Sequence, residues 1–176
     1  MTLNGKRIAI LVDTMYQEME IWYPLYRFRE AGAEVVTVGA EAGKTYTSKL
    51  GYPVVCERSY DVVSAHEFDG VIVPGGYAPD HIRRHPKANQ LVHDINEQGK
   101  LVAFICHGGW IPISAKILKG KRVTGSRGIK DDIENAGGVW VDEPVVVDGN
   151  LISSRTPQDL AAFGKAMVKF LDEHVR

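Results

Sequence analysis

Three short runs in this chain, Arg7 to Val12, Gly70 to Val73 and Leu101 to Ile105, are apolar almost without interruption. A strand with one wet face alternates apolar and polar residues, whereas one that is apolar throughout is covered on both faces. Between the runs lie helical patterns. Met19, Trp22, Tyr23, Tyr26 and, beyond a Pro24 kink or start, Leu25 and Phe28 recur at helical spacing until Gly32. Glu34 to Val38 adds a further strand. Ala88, Leu91, Val92 and Ile95 share one helical face within Pro86 to Gln98, with Gly99 as the stop. A helix is expected over 110–118, a strand over 122–124 and a short helix over 129–136. Val145 to Val147 and Leu151 to Ser153, around an Asp148-Gly149 turn, read as a hairpin. The last helix opens with Thr156 as N-cap and Pro157 at its first position, and turns Leu160, Phe163, Met167, Val168 and Leu171 inward. This alternation predicts an α/β fold, a mostly parallel sheet with helices on both faces, in a single domain over residues 1–176. Sites in such sheets form at the carboxyl ends of the strands. Three ends follow: Asp13 to Glu20, Pro74 to Asp80, and Cys106 to Trp110.

The overall balance excludes several classes of partner. Lys plus Arg total 21 and Asp plus Glu 22, a net charge of -1, which is no electrostatic footprint for nucleic acid or an anionic membrane. No apolar run approaches the roughly 20 residues of a membrane span. The run after Lys6 and Arg7 ends at Asp13, too short for a signal peptide, so a cytoplasmic protein is expected. Two cysteines, Cys56 and Cys106, are too few for a disulfide framework or a zinc site and read as free thiols.

The strongest chemical signal is Ala103-Phe104-Ile105-Cys106-His107-Gly108-Gly109. A buried strand delivers a cysteine to a sharp turn, two glycines follow and a helix begins, the thiol counterpart of a nucleophile elbow. A helix N-terminus favours a thiolate, and main-chain N–H groups there and at Gly75-Gly76 offer an oxyanion hole. His107 is the natural base, provided that the turn re-aims one of two side chains that would otherwise point apart; the alternative is a histidine that caps the helix. Glu20 can hydrogen-bond the sulfur if burial keeps it protonated, but Glu18 and Glu20 can also be first-turn acids facing a helix dipole. Asp80 is a candidate partner for a histidine, or a turn residue. His81 and His85 stand four apart, but Pro86 argues for a solvated turn over a metal pair. Cys56 reads as structural.

These residues resemble the ThiJ/PfpI superfamily, specifically its PfpI branch of intracellular cysteine hydrolases. The resemblance runs through Glu20-Ile21-Trp22-Tyr23-Pro24, Phe68-Asp69-Gly70, Val73-Pro74-Gly75-Gly76, Ile105-Cys106-His107-Gly108, Gly128-Ile129-Lys130-Asp131-Asp132, Asn135-Ala136-Gly137 and Ser153-Ser154-Arg155-Thr156-Pro157. It implies a flavodoxin-like three-layer sandwich and a cofactor-free, metal-free cysteine hydrolase. Cys106 then corresponds to the nucleophile, His107 to its partner, Glu20 to the glutamate that bonds the sulfur, and the N–H groups of Gly76 and His107 to the oxyanion hole. Asp80 stands where the branch offers an acid to the histidine of a neighbouring subunit, so homodimers or hexamers are implied. Asp80 is shorter than the usual glutamate, Gln17 stands where a second acid often lies, and Gly109-Trp110 and Ser126-Arg127 depart from the usual pocket wall.

The activities implied are glyoxalase or protein deglycase chemistry on reactive carbonyls in stress defence, with an intracellular peptidase as the alternative. A different class is a redox sensor or holding chaperone whose cysteine is oxidised without turnover. A glutamine amidotransferase shares the elbow but takes its histidine and acid from late in the chain. Here the late histidine is His174, with no Pro-Glu after it.

Overall fold

The computed structural model describes residues 2–174. The first half runs β1 (Arg7–Leu11), α1 (Glu18–Glu30), β2 (Glu34–Gly39), β3 (Thr45–Thr47), β4 (Pro53–Val55), β5 (Arg58–Ser59), β6 (Gly70–Val73), α2 (Ala78–Ile82) and α3 (Pro86–Glu97). The second runs β7 (Leu101–Ile105), α4 (Trp110–Ser114), β8 (Arg122–Val123), α5 (Lys130–Asn135), β9 (Val139–Trp140), β10 (Val145–Asp148), β11 (Leu151–Ser154) and α6 (Leu160–Glu173).

Seven strands form one sheet in the order β10-β11-β7-β6-β1-β2-β5. Its pairs are parallel except the β10–β11 hairpin. β6 and β7 are buried at every position and β1 at all but Arg7, as continuous apolar runs require. The chain moves from β1 outward through β2, then returns to β6 and moves the other way through β7. Right-handed crossovers in opposite directions place α1 and α3 on opposite faces. α6 packs beside α1, and α4 beside α3. The result is a flavodoxin-like three-layer sandwich. α3 buries Ala88, Leu91, Val92 and Ile95, and α6 buries its five expected residues with Gly164 and Phe170. Each large side chain so buried contributes about 1.5–3 kcal/mol.

Four local expectations need correction. In α1 the buried stripe is Ile21, Pro24, Leu25 and Phe28 together with Glu20, while Met19 and Tyr26 are exposed. Both faces of this helix carry apolar residues, so periodicity alone does not orient it. Trp22 is half-buried, its ring tilted against Tyr26 and edge-on to Tyr52. α4 stops at Ser114 and does not reach residue 118, because Lys116 takes φ +62°. There Lys116 N–H donates to Ile113 O (3.1 Å) and Ile117 N–H to Pro112 O (3.2 Å), a Schellman stop without glycine. The hairpin loop is Gly149-Asn150, since Asp148 already pairs with Leu151. Thr156 precedes a 3₁₀ turn, Pro157–Asp159, and its side chain caps nothing. The β3–β4 hairpin was not anticipated: its strands are three residues long and expose every other side chain.

Candidate active site

The sheet order reverses between β1 and β6, and there the carboxyl ends open a crevice. Cys106 follows β7 directly, Pro74-Gly75-Gly76 follow β6, and Gln17 to Glu20 enter α1 after β1. All three strand ends singled out in the sequence therefore meet. A cleft of about 360 Å³ is lined by Gln17, Glu20, Lys49, Gly76, Tyr77, Cys106, His107, Trp110 and Pro157.

Cys106 sits at φ +60°. A left-handed L-residue costs roughly 1–2 kcal/mol, which the surrounding structure must offset. Ser126 N–H donates to Cys106 O at 3.1 Å and fixes the turn. The same turn re-aims His107, whose Nδ1 lies 3.3 Å from Cys106 Sγ although the two residues are adjacent. The N–H groups of Gly76 and His107 both face the sulfur.

Gln17 caps α1, its side chain accepting from Glu20 N–H at 3.1 Å. That start turns Glu20 fully inward, where Gly75 N–H donates to its Oε2 at 2.6 Å. A Cβ on Gly75 would lie 2.6 Å from that oxygen and 2.7 Å from Cys106 Cβ, so only glycine lets acid and thiol meet. Gly76 holds φ +75° and its missing Cβ would fall 2.6 Å from Gln17 N.

Burial pushes the Glu20 carboxyl up to about 8, against the Gly75 N–H, the Cys106 side chain and the Lys49 charge. Its Oε1 finds no protein partner, a cost that an ionised carboxylate would aggravate. Burial first, and the Glu20 charge second, push the Cys106 thiol up to about 11. The two groups act as one coupled acid. With Glu20 protonated, the repulsion is gone and its O–H can donate to the sulfur. The sequence expectation that a helix start would lower the thiol is therefore outweighed: the turn at Cys106–Gly109 is 3₁₀ and α4 has five residues, a short dipole against deep burial. His107 is lowered by burial and then by Lys49, while Asp132 pulls it the other way, so at neutral pH it is a free base.

Asp80 is not brought to His107 of its own chain. It lies half-exposed in the first turn of α2 and is ion-paired with Arg84. His81 lies in the last turn of α2 and His85 precedes α3, so their spacing spans two elements. Among the described residues no three His, Cys, Asp or Glu side chains gather as a metal site needs. Cys56 is buried, with Sγ 3.1 Å from Arg58 O, and burial raises its thiol.

Two charged neighbours were missed in the sequence. Lys49 reaches the cleft from the tip of the unforeseen β3–β4 hairpin. Asp132, in α5, accepts from Trp110 Nε1–H at 2.8 Å, and the Trp110 ring stands edge-on to His107 with centroids 5.3 Å apart. The sequence places Trp110 at the end of β7 and in the pocket wall, but not this bond to Asp132.

A family model described as the DJ-1/PfpI family matches residues 6–170. Deglycase PH1704 of Pyrococcus horikoshii is 44% identical over 165 residues, covering 94% of this chain and 99% of its own length. Protein/nucleic acid deglycase 2 of Escherichia coli is 39% identical over 169 residues, 95% of this chain and 98% of its own. A crystal structure from Anabaena variabilis, a two-domain protein containing DJ-1/ThiJ/PfpI-like and ferritin-like domains, superposes with a TM-score of 0.94 at 41% identity. That match covers 96% of this chain and 48% of the two-domain protein.

Proposed function

The chain belongs to the DJ-1/PfpI family, and from that premise we propose that it is a cysteine hydrolase of the PfpI type acting on reactive carbonyls and their early protein adducts. The carrying observation is Cys106 at φ +60°, its sulfur 3.3 Å from a His107 held neutral and faced by two main-chain N–H groups. Relatives with about this identity are named deglycases. The cleft of about 360 Å³ suits a small electrophile better than a length of peptide.

For methylglyoxal the steps balance without a cofactor. The Cys106 sulfur adds to the aldehyde carbon, and the resulting oxyanion is met by the N–H groups of Gly76 and His107. His107 takes the proton from that carbon and returns it to the neighbouring carbonyl carbon, which leaves a thioester. Water then adds to the thioester, lactate departs and the thiol recovers its proton. The sum is methylglyoxal plus water giving lactate. An early adduct on a protein thiol or amine enters the same path once the protein group leaves. Among the described residues no helix is long and apolar enough to cross a membrane, and two free thiols fit a reducing cytoplasm.

The test is lactate formation from methylglyoxal. His107→Ala is expected to lower it about a hundredfold. Wild-type protein that oxidises at Cys106 but forms no lactate, and releases none from adducts, is a sensor and overturns the enzyme reading. Asp80 extends the proposal: its carboxylate, paired with Arg84 and unused by its own His107, serves a neighbouring subunit's histidine in a dimer or larger ring. Activity per subunit is then expected to fall on dilution as monomer accumulates; constant specific activity in the monomer overturns the shared site.

A further inference from the structure

Among the described residues, Lys49 is the one formally positive side chain lining the cleft, since burial keeps His107 neutral. It is exposed, and among the described residues no carboxylate is ion-paired with it, whereas Lys6, Lys44, Lys87 and Lys130 each reach an acid. Glu18, whose carboxylate is stabilised by the Lys49 charge, is already engaged: its Oε1 accepts from Leu50 N–H at 2.7 Å and its Oε2 from Gln17 Nε2–H at 3.4 Å. Gln17 itself brings no charge to the mouth.

The lysine backbone is also held in place. Its N–H donates to Tyr16 O at 2.9 Å and Met15 N–H to Thr47 O at 2.7 Å, while the Tyr16 hydroxyl donates to Tyr52 O at 2.6 Å. These bonds tie the β3–β4 hairpin to the loop after β1. The ammonium rests 5.6 Å from the centroid of the Tyr77 ring, on the cleft wall. A tethered, unpaired cation in a cleft with a nucleophile is the arrangement that selects an anionic group on the substrate.

We propose that Lys49 is a specificity residue that binds a carboxylate carried beside the electrophilic carbon, so that the favoured substrates are small carbonyl compounds or adducts bearing a carboxylate one or two bonds from the carbon attacked. The inference rests on Cys106 being the attacking group. It also predicts competitive inhibition by small carboxylates that reach the same ammonium.

Two alkylating reagents of nearly equal size read this directly. Iodoacetate and iodoacetamide both react by sulfur attack on the CH₂ carbon with loss of iodide, and only the first carries a charge. The same thiolate attacks both, so the ratio of their rates is independent of how readily Cys106 ionises. Intact-protein mass is followed, with Cys106→Ser as the blank. Relative to the ratio for a free small thiol, wild type is expected to favour iodoacetate about tenfold. Lys49→Gln should lose that preference, Lys49→Arg should keep it, and added salt should weaken it. Protection by glyoxylate, compared with neutral glyoxal, should follow the same order. Equal ratios in wild type and Lys49→Gln overturn the assignment of Lys49 while leaving Cys106 as nucleophile. Alkylation by neither reagent overturns the nucleophile and this inference with it.

Discussion

Cys106→Ser is expected to abolish lactate formation from methylglyoxal, a loss on the order of 10⁴-fold or more, with the fold intact. The environment explains the size. Burial and the Glu20 charge already push the thiol up to about 11, and a serine hydroxyl starts several units higher in the same surroundings. Sulfur is deliverable as an anion here because the N–H groups of Gly76 and His107 face it and because Glu20 can surrender its charge by holding the shared proton. A hydroxyl gains the same two N–H groups but cannot ionise at working pH. The substitution removes no buried volume of consequence, so circular dichroism and the thermal midpoint should match wild type within a few degrees. Lactate formation by well-folded Cys106→Ser at wild-type rate would move the chemistry to another group.

What sequence made legible follows the length scale of each signal. β6 and β7 were visible because every position is apolar, and α3 and α6 because their apolar residues keep to one face. Cys106, His107 and Gly76 could be named because they lie within three residues of strand ends, where an α/β sheet must place its site, and Glu20 because it stands in the first turn of the helix that follows β1. Their contacts were not legible. The Gly75 to Glu20 bond joins residues 55 apart, and the coupling that raises both acid and thiol exists only once Glu20 is fully buried. Lys49 was hidden for a different reason: two three-residue strands carry too little pattern to reveal the hairpin that presents it. The outward turn of Met19 and Tyr26 was hidden because α1 is apolar on both sides and its partner Tyr52 arrives from that same hairpin.

Glu20→Gln should make the protein more stable at alkaline pH and erase much of its pH dependence. The ordinary glutamate value is 4.5, and burial raises it to about 8 in the folded chain. Between those two pH values the folded state keeps a proton that the unfolded state has lost. The folded state then binds more protons, so stability falls as pH rises from about 4.5 to about 8 and levels off outside that window. The full difference is of order 3–5 kcal/mol. Glutamine keeps the Gly75 contact, its carbonyl oxygen accepting from Gly75 N–H, and it carries no charge to desolvate. Denaturant midpoints at pH 5 and pH 8.5 should therefore separate in wild type and nearly coincide in Glu20→Gln, once the shared contributions of other groups are subtracted by comparing the two proteins. With no carboxylate charge beside it, Cys106 should also begin to alkylate at lower pH in the variant. A variant whose stability falls with pH as steeply as wild type would show that Glu20 is ionised in the folded protein, and the shared proton between Glu20 and Cys106 would have to be given up.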